Sequence, residues 1–164
     1  MRFLDSDISK IIPHEDSFRF VDKIIDENEE EKSLIAMVSF SKHIKSFSGH
    51  YPQEEIVPGI IIIEALSQCS ILCGYRFSPV PEAADKQIRH LTLEVQCRFK
   101  ETIHYMDDVL LYSRIDKTVN EVSVFKVKAI DAKSNKVCAS GQIMGIALAL
   151  PSCINSKDEA AENH

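Results

Sequence analysis

No block of lysine and arginine runs through the 164 residues, and the chain carries a net charge of −6. A protein that grips duplex DNA needs a basic face to neutralise phosphates, so nucleic acid is not an expected partner. A CxxC pair is missing as well: Cys69, Cys73, Cys97, Cys138 and Cys153 are odd in number and scattered. That pattern suits reduced thiols in a cytoplasmic protein. The opening MRFLDSDISK places acidic residues where a secretion signal needs a positive end and an apolar core, so no such signal is expected. Internal repeats are absent. Only one stretch, Ile56 to Phe77, is apolar enough to suggest a membrane span, and Glu64, Gln68, Arg76, a proline and two glycines within it argue against one.

What is present is ordinary for a globular chain: 45% hydrophobic and 27% charged residues, enough for one domain with a substantial core. The expected organisation is a single domain over 1–150 followed by a polar tail over 151–164. Asp5-Ser6-Asp7 offers helix N-cap chemistry ahead of Ile8, Ile11 and Ile12, and Pro13 should end that short helix. Phe18–Ile25 and Leu34–Phe40 read as a hairpin around the acidic turn DENEEEK. Residues 41–58 look irregular, punctuated by Gly49, Pro52 and Pro58. The run opened by Pro58 and Gly59 is too long for an ordinary strand and reads as a buried helix to Phe77.

PVPEAADK reads as a loop. Leu91–Lys100 then alternates without a fault, which predicts a half-buried strand with Leu91, Leu93, Val95, Cys97 and Phe99 on its apolar face. Val109–Asp116, Glu121–Asp131 and Val137–Leu148 read as three further strands, with turns at 117–120 and 132–136. The resulting α+β plan has an antiparallel sheet that must wrap one long central helix.

One feature resists that plan. In SGHYPQEEIVPGIIIIEALSQ (Ser48–Gln68) a glutamate, Glu64, stands in the most apolar part of the helix, fourteen positions after His50. Burying an ionised carboxylate without a partner costs several kcal/mol. Gln68 follows one helical turn later on the same face, placed to hold or orient that carboxyl. A lone loop histidine is ordinarily a polar surface residue, and a glutamate in an apolar helix ordinarily sits at an interface edge.

The same stretch resembles the active-site segment of the 3-hydroxyacyl-acyl carrier protein dehydratases, the FabZ/FabA type of hot-dog fold. Their pattern is G-H-F-P-x-x-x-x-x-P-G-x-x-x-x-E/D-A, and Gly49, His50, Pro52, Pro58, Gly59, Glu64 and Ala65 fall on it without a gap. IIPHEDSFRFVDKI (Ile11–Ile24) is similar to the family's L-P-H-R-x-P-F-L-x-V-D-R-V, keeping Pro13, His14, Phe18, Val21 and Asp22. CRFK (Cys97–Lys100) stands where the family has R-F-x-x-P-V-x-P-G-D. The chain departs from the family at Gln53-Glu54-Glu55, at LTLEVQ before the Arg-Phe pair, and at TIHYMD (Thr102–Asp107), which keeps only the aspartate.

The resemblance implies a hot-dog fold and removal of water from a (3R)-3-hydroxyacyl thioester. His50 would be the base at C2 and Glu64 the acid at the C3 hydroxyl, with apolar surroundings helping Glu64 to arrive protonated. Pro58-Gly59 would aim a backbone N–H at the thioester oxygen, and Gly59 would let substrate approach closely. The family implies no metal and no organic cofactor, an acyl carrier protein as partner, and a homodimer or assembly of dimers whose sites take His and Glu from different subunits. The rivals are a hot-dog thioesterase and a non-catalytic acyl-binding or partner subunit. His14 reads as structural, His43, His90 and His104 as surface residues, and Cys69 and Cys73 as packing groups rather than metal ligands.

Overall fold

The computed structural model describes residues 5–78 and 86–151. A helix α1 (Asp5–Ile11) leads to strands β1 (Lys23–Asn28) and β2 (Ser33–Ser39), then to a long helix α2 (Gly59–Phe77). Strands β3 (Lys86–Phe99), β4 (Asp108–Val119), β5 (Val122–Asp131) and β6 (Val137–Pro151) follow. All pair antiparallel in one sheet of order β1-β2-β4-β5-β6-β3, and the sheet wraps α2 as the hot-dog fold requires. PVPEAADK and the polar tail lie outside the described residues, apart from Lys86 and Pro151, which end strands.

The core lies between α2 and the middle of the sheet. Ala65, Leu66, Cys69, Leu72 and Cys73 are buried there against β2, β4 and β5. The thiols of Cys69 and Cys73 donate to the carbonyls of Leu111 and Ser113 on β4, at 3.2 and 3.4 Å. Burial pushes the Cys73 thiol up to about 12 and Cys69 well above its ordinary value, so neither is a thiolate at neutral pH. By length and composition α2 could cross a membrane, yet the sheet covers more than half of it. It is the core helix of this domain.

Besides the turn expected at 117–120, where β4 runs on to Val119, four sequence expectations need correction. The first strand begins at Lys23 rather than Phe18, which ends a 3₁₀ turn over Asp16–Phe18. Gln68 on α2 takes the backbone groups that a strand would need: its Oε1 accepts from the Phe20 amide at 2.7 Å and its Nε2 donates to the Phe18 carbonyl at 2.8 Å. The second correction is to β6, which continues past Leu148 to Pro151 because β3 supplies partners out to Lys86↔Pro151.

Third, β3 buries its apolar face only in part: Val95 and Cys97 pack against the core, whereas Leu91, Leu93 and Phe99 are 49%, 53% and 45% exposed. The strand lies at the sheet's edge, and a register shift between Thr92 and Glu94 interrupts its pleat. The helix likewise keeps one open stripe, with Ile60 and Tyr75 exposed and Glu64 and Ile71 partly so, at helical spacing.

Fourth, His43 is buried rather than on the surface. Its ring packs edge-on against Phe20, and its Nε2 lies 3.4 Å from Asp22 Oδ1. His90 is half-buried, and desolvation pulls its imidazole below the ordinary value. His104 is exposed as expected.

Burial pushes the Asp22 carboxyl up, but contacts from His43 and the Ser39 amide, with the nearby charge of Lys42, outweigh it and hold it below the usual carboxylate range. A depressed folded value contributes stability that is complete above the unfolded value of about 3.9 and drains away as pH falls through the folded one. Asp22→Asn is therefore expected to lower stability by about 1–2 kcal/mol at pH 7. The gap from wild type should shrink as acid protonates Asp22. Urea denaturation at neutral and acid pH measures both, and an equal gap at the two would contradict the assignment.

Candidate active site

Pro58 is the N-cap of α2 and Gly59 its first helical residue. No side chain caps this end and no acidic residue occupies the first turn, so the positive end of the helix dipole is left uncompensated. The Pro58 carbonyl accepts from the amides of Ile61 and Ile62 at 2.9 and 3.3 Å, which closes the first turn. The space beside Gly59 is taken by an aromatic ring: a Cβ there would lie 3.0 Å from Phe99 Cζ. Within the chain, Gly59 thus makes room for Phe99 on the neighbouring strand. Phe99, Lys100 and Gly59 line one cleft at the helix start.

Glu64 stands one and a half turns into α2, and its side chain is 29% exposed rather than enclosed among the isoleucines. Gln68 holds it as the i, i+4 spacing anticipates, donating from Nε2 to Glu64 Oε1 at 2.9 Å. Gln68 is fully buried, and one amide group serves Glu64, Phe18 and Phe20 together. This clamp joins the acidic side chain to the segment after Pro13.

His50 lies in the loop between β2 and α2. Its Nδ1 is 3.3 Å from the Ile56 carbonyl. A carbonyl only accepts, so Nδ1 carries the proton in that contact and Nε2 keeps the basic lone pair. The loop is braced from the β3–β4 connection. Tyr105 donates its hydroxyl to the His50 carbonyl at 3.0 Å, its amide donates to Glu55 at 2.9 Å, and Val57 donates to Ile103 at 2.9 Å. Tyr51 and Glu55 adopt positive φ angles of 42° and 53°, left-handed backbone that non-glycine residues rarely enter without such bracing.

The chain thus joins Glu64 to Gln68 and sets Pro58 and Gly59 at the same helix's N-terminus. It does not join His50 to Glu64: no hydrogen bond, ion pair or ring contact links them. The histidine that does approach Glu64 is His14, whose Nε2 lies 3.8 Å from Glu64 Oε1. Sequence reasoning kept His14 only as a structural residue and passed over Tyr105, which sits in the TIHYMD stretch where the family pattern fades. The signal for His14 was its place in the family's L-P-H-R-x-P-F-L pattern, whereas Tyr105 offered only an aromatic residue in a polar loop. Cys69 and Cys73 face β4 carbonyls, and no group of three or more His, Cys, Asp and Glu gathers as metal ligands among the described residues.

A small, partly open pocket of about 50 Å³ lies beside the second half of α2. It begins at Ser67, three residues beyond Glu64, passes Ile71 and Gly74, and is walled by Phe125 and Ile143 from the sheet.

Comparison with known proteins matches residues 12–142 to the FabA-like domain. The chain is 31% identical over 142 residues to the 3-hydroxyacyl-[acyl-carrier-protein] dehydratase FabZ of Thermoanaerobacter pseudethanolicus, covering 87% of this chain and 95% of that protein. It is 30% identical over 146 residues to the FabZ of a Wolbachia species from Drosophila simulans, covering 89% and 97%. Among solved structures, the dehydratase heterocomplex ApeI:P from Xenorhabdus doucetiae superposes with a TM-score of 0.67 at 13% identity, over 90% of this chain and 93% of that one. A thioesterase from Haemophilus influenzae superposes at 0.64 with 10% identity, over 92% and 94%. At such identities the structural likeness establishes the fold.

Proposed function

The chain belongs to the FabA-like family, among the 3-hydroxyacyl-[acyl-carrier-protein] dehydratases, and from that membership we propose that it removes water from (3R)-3-hydroxyacyl-acyl carrier protein to give the trans-2-enoyl thioester. His50 Nε2 takes the proton from C2, and Glu64 gives a proton to the hydroxyl leaving C3. Charge that gathers on the thioester oxygen in between is met by the Gly59 amide and the uncapped start of α2. The acyl tail runs along α2 toward the pocket beyond Ser67. No metal or organic cofactor has a step in this chemistry. Lys100 at the rim of the Gly59 cleft is placed to meet an acidic carrier protein.

One observation carries the proposal: the chain holds its carboxyl and orients its imidazole, yet makes no direct contact between the two. The same observation supports a homodimer in which each site takes His50 from one subunit and Glu64 from the other. The uncovered apolar residues of the β3 edge and the open stripe of α2 around Glu64 supply the surface for it. Its place is the cytoplasm, where the buried thiols remain reduced.

Incubation with 3-hydroxyacyl-carrier protein of several chain lengths tests the reading. Enoyl product, identified by mass loss of one water, is the expected result. Release of free carrier thiol without dehydration would make the protein a thioesterase, and tight binding without turnover would make it an acyl-binding subunit.

A further inference from the structure

Glu64 has a neighbour that the acid–base pair does not include. His14 Nε2 lies 3.8 Å from Glu64 Oε1, the same oxygen that takes the Gln68 amide at 2.9 Å. Both described contacts fall on Oε1 and leave Oε2 unengaged. His14 is not on α2. It rides on the segment that Gln68 ties to the helix through the Phe18 carbonyl and the Phe20 amide, so one buried amide registers both His14 and Glu64.

The ring's other nitrogen shows which way it is protonated. His14 Nδ1 is buried and makes no hydrogen bond among the described residues. Orphaned buried N–H groups are rarer in folded proteins than under-used acceptors, so the proton of a neutral His14 belongs on Nε2, toward Glu64. A separation of 3.8 Å is too long for a formed hydrogen bond, but contacts of this kind tighten in active sites when substrate arrives.

We infer that His14 is a positioning residue: its Nε2–H and the Gln68 amide flank Oε1 of Glu64, so that Oε2 is the oxygen presented to the departing hydroxyl. The catalytic consequence rests on the dehydratase reading, whereas the placement of the proton rests on the geometry alone. His14 does not exchange a proton with substrate in this scheme. Its work is to keep the carboxyl in one rotamer.

Two variants and one measurement on the wild type test it. His14→Phe keeps a flat ring over Phe18, whose centroid lies 5.8 Å from that of His14, but removes the N–H. Its kcat should fall about tenfold to a hundredfold with KM within about twofold, as for a misplaced catalytic group. His14→Gln restores an N–H donor without the ring and should recover most of that rate. A residue that merely packs predicts the reverse order. Full activity in His14→Phe, or His14→Gln as impaired as His14→Phe at matched melting temperature, would overturn the inference.

Heteronuclear NMR of protein labelled at histidine reads the tautomer without any variant: Nε2–H is expected for His14, and Nδ1–H would refute the assignment. If the wild type dehydrated no 3-hydroxyacyl thioester, the functional reading would fall while this spectrum still judged His14.

Discussion

Homodimers of His50→Ala and of Glu64→Gln are each expected to lose activity by about a thousandfold, the scale of a lost general acid or base. Unfolded and refolded together, they should regain about a quarter of the wild-type rate. Within one chain no contact joins His50 to Glu64. Random pairing makes half of the dimers hybrids. Two-fold symmetry then gives each hybrid one site with both defects and one with neither. A site built within a single chain would leave a defect in every hybrid site, and nothing would return. Hybrids demonstrated by mass spectrometry without recovered activity would reject the shared site, even with the dehydratase reaction intact.

Gly141→Ala should be the most damaging small change to the fold. Gly141 lies on β6 between two partners, opposite Cys97 on β3 and Val127 on β5. A Cβ at this position would come within 1.8 Å of the Gln96 carbonyl oxygen and 2.9 Å of Cys97 Cα. These are backbone atoms of a paired strand and cannot rotate aside, so β3 must shift away from β6. The expected loss is about 3 kcal/mol or more, the upper range for overpacking. Gly145→Ala on the same strand is the control, since its Cβ would meet the Leu91 carbonyl at an ordinary 3.4 Å. Chemical denaturation that showed the two variants equally stable would contradict this account. Because β3 carries both Phe99 over Gly59 and the exposed Leu91 and Leu93, a displaced β3 should also weaken self-association.

Patterning was enough for the elements whose own side chains decide their state. The apolar run after Pro58 is longer than an ordinary strand, and it forms α2. The alternation of Leu91–Lys100 marks a strand whatever lies beside it, and β3 is one. Glu64 and Gln68 could be paired before any coordinates, because an i, i+4 spacing on a helix brings two side chains together by local geometry alone.

The tertiary structure decided whatever depended on partners distant in sequence. Phe18–Phe20 has strand-like side chains but remains outside β1, because Gln68, about fifty residues later, captures the Phe18 carbonyl and the Phe20 amide. His43 is a core residue because Asp22 and Phe20 arrive beside it. Leu91 and Leu93 of β3 are uncovered because the strand falls at the sheet edge, and strand order is not written in the period of any one strand. His14 reaches Glu64, and Tyr105 braces the His50 loop, across separations of about fifty residues. Local sequence sets which conformation a segment prefers through short-range sterics and solvation, whereas which segments meet is settled only when the whole chain minimises its exposed apolar surface and satisfies its buried polar groups together.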